Sequence, residues 1–222
     1  MNQQNLCQQI AYQFSNPALL QRALTHRSYS AINYERFEFL GDSVLNCAIA
    51  KFLFDHYPDL PEGDLSRLRS HLVNQQTLAT LAKQLQLGEL ILFGEGERKS
   101  GGQQRASILA DAFEALLGGV FLDGGFAAAE KIVIKIYAPY LQQVDLKTLG
   151  KDAKTLLQET LQARKLALPK YTVVAIQGEA HEQIFNVECL IEKLKITTRG
   201  SGTSRRIAEQ IAAEAAYQRI QS

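Results

Sequence analysis

The chain has 222 residues, of which 46% are hydrophobic and 21% are charged, and its formal net charge is +1. This length allows one large domain or two small ones, and the composition is typical of a globular protein with a core. Three widely spaced cysteines without a Cys-x-x-Cys pair argue against a disulfide framework or a zinc site. With no signal-peptide pattern and no membrane-length apolar run, we expect a cytoplasmic protein without a membrane partner.

Helical periodicity dominates the first two thirds of the chain. Asn16-Pro17 predicts a helix start with Ser15 or Asn16 as its N-cap, and residues 35–54 predict a long helix. The glycines between residues 93 and 102 predict a flexible, exposed loop. The remaining predicted helices cover residues 65–74, 77–87, 107–122 and 127–140.

The pattern changes after a polar segment at residues 142–152, which we interpret as a linker. Residues 153–164 predict a helix, and residues 171–176 and 184–191 predict a β-hairpin. A third strand at 194–198, a turn at 200–202 and a helix at 204–220 complete the pattern. We therefore predict an all-α helical domain over residues 1–146 and a small α+β domain of order α-β-β-β-α over residues 147–222.

Charge differs mildly between the two parts. Residues 1–150 contain 13 Lys and Arg against 15 Asp and Glu, whereas residues 151–222 contain 11 against 8. The C-terminal part is therefore the more basic one, which is weak evidence for a polyanionic partner.

Acidic residues interrupt two apolar helical stretches at spacings of three or four residues. The first stretch contains Glu35, Glu38 and Asp42, and the second contains Asp111 and Glu114. Such pairs usually form a solvated helix face, but the second stretch is apolar on all sides, so we expect its acids to lie inside. Buried carboxylates are costly unless they are paired or bind a metal. Oxygen ligands alone favour magnesium or manganese over zinc.

Residues 35–43, ERFEFLGDS, are similar to the signature of the ribonuclease III family. Tyr34 departs from the asparagine that many members have before this stretch. The order of a helical domain, a linker and a double-stranded-RNA-binding domain resembles bacterial ribonuclease III over nearly the whole chain. Supporting stretches lie at residues 24–28 (LTHRS), 62–69 (EGDLSRLR), 99–102 (KSGG) and 109–116 (LADAFEAL).

The resemblance implies an endoribonuclease that cleaves double-stranded RNA by metal-assisted hydrolysis, leaving 5′-phosphate and 3′-hydroxyl ends. It implies Mg²⁺ as cofactor with Mn²⁺ as a substitute, and processing of rRNA precursors and other structured transcripts. It also implies accessory roles for Glu35 and Glu62, although Glu62 by itself would be interpreted as a solvated turn residue. The implied metal ligands are Glu38, Asp42, Asp111 and Glu114, and we expect Asp42 and Glu114 to be the catalytic pair.

The resemblance further implies a homodimer, and Phe39, an apolar residue between two acids, is the residue that we expect at its interface. A domain that recognises double-stranded RNA by its shape needs contacts to two minor grooves and to the phosphates between them, and we expect the C-terminal domain to make these contacts. Cations at a helix N-terminus oppose the helix dipole unless a phosphate is bound, which favours the two arginines as phosphate contacts. The expected RNA contacts are Gln158, Gln162, His181, Ser204, Arg205 and Arg206.

Other function classes are less compatible with the residues. A histidine-based nuclease could use His26, His56 or His71, but a lone histidine among apolar residues is more often structural. A di-iron bundle would need Glu-x-x-His motifs, which the chain lacks. A non-catalytic RNA-binding regulator would be expected to lack one of the four metal acids, and all four are present. A scaffold protein stays open, although it would not explain buried acids.

Overall fold

The computed structural model describes residues 2–142, 148, 150–178 and 182–221. The chain divides into two compact units, Met1–Leu149 and Gly150–Ser222. The boundary predicted between residues 146 and 147 lies outside the described residues. None of the helices in the described ranges is long and apolar enough to cross a membrane.

The first unit is helical, as predicted. Asn16 caps α2 by accepting a hydrogen bond from the Ala18 N–H at 3.1 Å, and Pro17 occupies the first helical position. The long helix predicted at residues 35–54 is confirmed as α3, which extends two residues further. The helices of this unit are α1 (Gln3–Ile10), α2 (Pro17–Ala23), α3 (Glu35–His56), α4 (Glu62–Leu72), α5 (Gln75–Gln84), α6 (Glu95–Lys99) and α7 (Ala106–Gln142).

Two glycines bring α3 and α7 into backbone contact. A Cβ atom built on Gly41 of α3 would lie 1.8 Å from the Glu114 carbonyl oxygen. A Cβ atom on Gly118 of α7 would lie 2.2 Å from the Phe37 carbonyl oxygen. Only glycine permits such an approach, so the two helices cross with their acidic residues side by side.

Helix α7 is not one straight helix. Its backbone breaks at Gly125, where φ is 76° and ψ is −177°, a conformation that favours glycine. This break falls between the two helices predicted at residues 107–122 and 127–140. Just before this break, the Asp123 carboxylate joins α7 to the segment that precedes α2. It accepts hydrogen bonds from the Tyr12 hydroxyl and from the backbone N–H groups of Ser15 and Asn16.

Several predicted boundaries in the first unit are wrong. The flexible loop expected at residues 93–102 contains the short helix α6 and is followed by a 3-10 turn at Gly102–Gln104. Helix α4 begins at Glu62 rather than near residue 65, because Pro61 supplies an extended N-cap and the acids of its first turn suit the helix dipole. Helix α5 ends at Gln84 rather than at residue 87, because Gln86 adopts a left-handed conformation that a helix cannot continue through. Helix α1 was not predicted.

The second unit has the predicted α-β-β-β-α order. It consists of α8 (Ala153–Ala163), an antiparallel sheet in the order β1-β2-β3, and α9 (Arg205–Gln221). The strands are β1 (Lys170–Gln177), β2 (Ile184–Ile191) and β3 (Ile196–Gly202). Both helices contribute to one core with the sheet, formed by Leu157, Leu161, Cys189, Ile191, Ala212, Ala213, Ala216 and Ile220.

The turn predicted at residues 200–202 is instead the end of β3. A Cβ atom on Gly200 would lie 2.2 Å from the Ala208 carbonyl oxygen and 2.5 Å from the Ala212 nitrogen of α9. The glycine therefore permits close packing of a strand against a helix and does not mark a turn. The start of β3 moves from residue 194 to Ile196, because a 3-10 turn and the left-handed Lys195 precede it.

Candidate metal centre and candidate nucleic-acid surface

Three carboxylates meet where α3 crosses α7. Glu38 comes from α3, and Asp111 and Glu114 come from one face of α7, one turn apart. Carboxylate oxygens of these three residues lie within 4.8 Å of one another. Each side chain is half-buried rather than inside the core, which corrects the expectation that Asp111 and Glu114 lie inside.

The charges of this group are poorly compensated. Burial raises the pKa of Glu114 to about 8, with further contributions from the negative charges of Asp42, Glu38 and Asp111. Burial also raises the pKa of Glu38 to about 7, assisted mainly by Asp111 and Glu35. Within the described ranges, no ion pair forms to Glu38, Asp111 or Glu114. Three converging oxygen donors without a cation fit a hard divalent ion.

Asp42, the fourth predicted ligand, lies outside this group of three. Its side chain is exposed, and its Oδ1 accepts a hydrogen bond from Asn46 Nδ2 at 2.8 Å. The same Asn46 nitrogen donates to the Asp42 carbonyl oxygen at 3.0 Å. Asp42 is nevertheless close enough for its charge to raise the pKa of Glu114. Its role as a metal ligand stays a prediction.

The other predicted residues of this unit are exposed, and only Glu35 lies beside the three carboxylates, in the cleft that Glu38 and Asp111 line. Glu35 forms an ion pair with Arg27 at 3.3 Å. Glu62 is the first residue of α4, where it accepts a hydrogen bond from the Ser66 hydroxyl at 2.7 Å. Phe39 is 79% exposed, so it does not belong to the hydrophobic core of this unit.

A polar cleft of about 240 Å³ opens beside Glu38 and Asp111. Two arginines that the sequence analysis did not assign to the site, Arg27 and Arg105, line it. Arg105 forms an ion pair with Glu97 at 2.9 Å, so its charge is already balanced. Arg105 comes just before the second acidic stretch in the sequence, whereas no pattern pointed to Arg27. The spacing of Asn46, four residues after Asp42, could have identified the Asn46–Asp42 contact.

His26 also lines the cleft, but its environment is that of a structural histidine. Its ring is buried, and burial lowers its pKa below the ordinary value. Its Nδ1 lies 2.8 Å from the Ser28 hydroxyl, and the Ser28 N–H donates to the same nitrogen at 3.1 Å. These contacts leave the histidine neutral and hydrogen-bonded, which disfavours the histidine-based alternative.

In the second unit, most of the predicted RNA contacts are accessible. Gln158 and Gln162 are exposed, one turn apart on α8. Arg206 is exposed at the start of α9. Ser204 is half-buried, and its hydroxyl accepts a hydrogen bond from the Ile207 N–H at 3.3 Å, as an N-cap does. His181 lies outside the described residues.

Arg205 has a structural partner that the sequence analysis did not anticipate. Its Nε donates to Glu209 Oε1 at 2.8 Å, one turn further along α9. The argument that a cation here conflicts with the helix dipole unless a phosphate is bound is therefore wrong for Arg205. Glu209 also accepts a hydrogen bond from Lys154 Nζ of α8 at 2.6 Å. These contacts, led by the one to Lys154, hold the pKa of Glu209 below its ordinary value.

Comparisons with known proteins agree with this division. Residues 16–141 match the family model described as Ribonuclease-III-like. Residues 153–220 match the model described as Double-stranded RNA binding motif. The three carboxylates thus lie in the first match, and the Glu209 contacts lie in the second.

Similar proteins cover nearly the whole chain. The protein named Ribonuclease 3 from Nitrosomonas europaea is 58% identical over 211 residues, which are 95% of this chain and 86% of that protein. Ribonuclease 3 from Ralstonia pickettii is 61% identical over 95% of this chain and 82% of its own length. Ribonuclease 3 from Thiobacillus denitrificans is 57% identical over 97% and 96%.

Among solved structures, two of the nuclease domain of ribonuclease III from Campylobacter jejuni resemble the helical part. One has a TM-score of 0.62 and 41% identity, covering 65% of this chain and 99% of that one. The other has a TM-score of 0.61 and 41% identity, covering 62% and 97%. Its description mentions a region of that domain involved in dimer formation.

Proposed function

The chain belongs to the ribonuclease III family, and on this premise we propose that it is a metal-dependent endoribonuclease that hydrolyses double-stranded RNA. The products have 5′-phosphate and 3′-hydroxyl ends. The enzyme acts in the cytoplasm on rRNA precursors and other structured transcripts.

One observation carries the catalytic part of the proposal. Glu38, Asp111 and Glu114 bring carboxylate oxygens within 4.8 Å of one another, with no ion pair to any of them in the described part of the chain. A protein that only binds RNA gains nothing from keeping three repelling acids half-buried, because each lowers stability without a partner. A hard divalent cation removes this cost, and Mg²⁺, replaceable by Mn²⁺, matches the oxygen-only donors.

In this proposal, Glu38, Asp111 and Glu114 hold the ion, and Asp42 joins them as the fourth ligand. When bound there, a magnesium ion would polarise a phosphodiester oxygen and lower the pKa of a water molecule, so that no histidine base would be needed. Asp42 and Glu114 are the catalytic pair. Asn46 fixes the Asp42 side chain from the next turn of α3. Glu35 and Glu62 serve as accessory acids.

The second unit supplies affinity for the duplex. Gln158 and Gln162 are exposed amides that can donate to and accept from 2′-hydroxyls and base edges. Ser204, Arg205 and Arg206 lie at the N-terminal end of α9, where anions are favoured. His181, which follows β1 in the sequence, also contributes to RNA binding. Such contacts recognise the A-form shape of the duplex rather than its sequence.

The enzyme works as a homodimer formed through its helical unit. Phe39 and Phe54 are 79% and 72% exposed on the same helix, and a neighbouring subunit would cover them. Light scattering of the full chain at micromolar concentration should give twice the chain mass of 24.7 kDa. Phe39→Asp should shift the mass toward the monomer, whereas Leu168→Asp, which changes an exposed apolar residue of the second unit, should not. A monomeric wild-type chain would reject the dimer.

The decisive experiment incubates the chain with a long RNA duplex and Mg²⁺, beside single-stranded RNA and DNA duplex. Cleavage should occur only with the RNA duplex, should stop when EDTA is added, and should return with Mn²⁺. End labelling should detect 5′-phosphate on the products. Tight binding of the duplex without cleavage under any divalent metal would favour the alternative, a non-catalytic double-stranded-RNA-binding regulator.

A further inference from the structure

Glu209 is the one buried carboxylate in the described part of the chain. It lies in the second turn of α9 with 8% of its surface exposed. A buried carboxylate needs partners, and Glu209 has two cations. Lys154 Nζ donates to Oε2 at 2.6 Å, and Arg205 Nε donates to Oε1 at 2.8 Å.

The two cations are held in different ways. Lys154 lies between Glu209 and the ring of Tyr171, with its Nζ 4.7 Å from the ring centroid. Its ammonium is therefore engaged on both sides, and 35% of its side chain is exposed. The Arg205 side chain is 65% exposed and is held by Nε alone. In the described residues, no partner is found for its two terminal nitrogens.

The arrangement leaves one outward-facing guanidinium group that is already oriented. A guanidinium has five N–H donors, and Glu209 takes only the one on Nε. The remaining four, on the terminal nitrogens, can form a bidentate contact with phosphate. An arginine fixed in this way loses less side-chain entropy on binding than a free one. The local charge also stays positive, because one carboxylate faces two cations.

We propose that Glu209 is a positioning residue for RNA binding, which orients Arg205 so that its terminal nitrogens contact a backbone phosphate of the duplex. This inference rests on the proposed function of the second unit. Glu209 does not contact RNA itself, and it acts through Arg205. Lys154 donates to the second carboxylate oxygen of Glu209 and thereby joins the first turn of α8 to the second turn of α9.

A purely electrostatic role for Glu209 leads to the opposite expectation. Removing a negative charge near bound phosphates should strengthen binding and steepen its dependence on salt. Removing a positioning residue should weaken binding, because Arg205 would have to be ordered by the RNA. The direction of the change in affinity therefore separates the two roles.

The test measures binding of the full chain to an RNA duplex of about 20 base pairs in EDTA, at several salt concentrations, by fluorescence anisotropy. The length exceeds the roughly 16 base pairs that such a domain spans. We expect Glu209→Gln and Arg205→Ala each to weaken binding roughly 3- to 10-fold, the scale of one charge-assisted hydrogen bond. The double variant should bind like Arg205→Ala, because Glu209 acts through that residue.

Two further variants control for charge and folding. Glu214→Gln removes an equal charge from an exposed position of α9, and it should bind at least as tightly as the wild type. Arg205→Lys keeps Glu209 and the charge, but its single ammonium cannot hold Glu209 and also present a bidentate fork. Arg205→Lys should therefore bind nearly as weakly as Arg205→Ala. This variant tests the proposal independently if Glu209→Gln fails to fold.

The proposal is overturned if Glu209→Gln binds as tightly as the wild type or more tightly. Losses in the double variant that equal the product of the two single losses would also overturn it, as would wild-type affinity in Arg205→Lys. Failure of the wild-type chain to bind the duplex would instead reject the proposed function of the second unit.

Discussion

Glu114 in the helical unit and Glu209 in the α+β unit are the same residue type in opposite electrostatic settings. Glu114 lies beside Glu38, Asp111 and Asp42, and burial together with these charges raises its pKa to about 8. Glu209 has less of its surface exposed to solvent, yet the contacts with Lys154 and Arg205 lower its pKa. Low solvent exposure alone therefore does not decide how a carboxylate behaves, because cations in contact with it can outweigh the effect of burial.

The two carboxylates differ in whether the protein itself supplies a cation to balance their charge. The two oxygens of Glu209 are satisfied by side chains of the same unit, so it serves the architecture and the orientation of Arg205. Glu38, Asp111 and Glu114 form no ion pair in the described residues, and in the proposed function an external cation supplies the missing charge. The presence or absence of a side-chain cation is thus what distinguishes the metal centre from a structural ion pair.

The largest expected effect tests the metal centre directly. Glu114→Gln should reduce cleavage of duplex RNA by at least about 100-fold, because one charged ligand is lost at the place where charge develops. Binding of the duplex in EDTA should stay within about threefold of the wild type, because the proposed RNA contacts lie in the other unit. Cleavage within a few-fold of the wild type would remove Glu114 from the site, and equal losses of binding and cleavage would point to misfolding.

The next effect tests the helix crossing that assembles the acids. Gly41→Ala places a Cβ atom where the Glu114 carbonyl lies, so it should lower the free energy of unfolding by about 1–3 kcal/mol or more. It should also reduce the stabilisation that Mg²⁺ confers in thermal unfolding. Gly63→Ala in α4 is the matched control, since its Cβ meets no atom within 4 Å and should be neutral or slightly stabilising. Equal behaviour of the two variants would contradict the close crossing.

A third prediction compares the two carboxylates by stability. Without metal at about pH 8, Glu114→Gln should raise the unfolding midpoint, because it removes a half-buried charge that its neighbours repel. Glu209→Gln should lower stability by about 1–2 kcal/mol, because it weakens two charge-assisted hydrogen bonds and leaves two cations less compensated. Differential scanning calorimetry of both variants in EDTA measures the signs. Destabilisation by both would show that the contrast is not electrostatic.

The smallest effect is a dependence on pH. The folded-state pKa of Glu209 is lowered, so its ionised form stabilises the fold fully above the unfolded-state value of about 4.3. This contribution is lost as the pH falls through the lower folded-state pKa. The stability difference between wild type and Glu209→Gln should therefore be constant near neutral pH and shrink in acid. A difference that does not change between about pH 7 and pH 3 would contradict the shift.

The sequence predicted most of the elements, because local signals carried them. Asn16-Pro17 marked the start of α2, and the β-branched and apolar residues of β1 and β2 marked the hairpin. Wrong predictions occurred where one residue type can serve two structural roles. Gly200 was interpreted as a turn residue, although it permits contact between β3 and α9, and only the packed structure separates these uses.

The types of the acids and their spacing within each helix follow from the sequence, since helical periodicity is a local property. Which acids meet depends on the crossing of α3 and α7, which Gly41 and Gly118 permit and which the spacing along the chain does not encode. The structure joined Glu38 to Asp111 and Glu114 and left Asp42 beside Asn46. It also paired Glu209 with Lys154, because packing of α8 against α9 brings together residues 55 positions apart. Local chemistry is readable from the chain, whereas the partner of each charge is decided by packing.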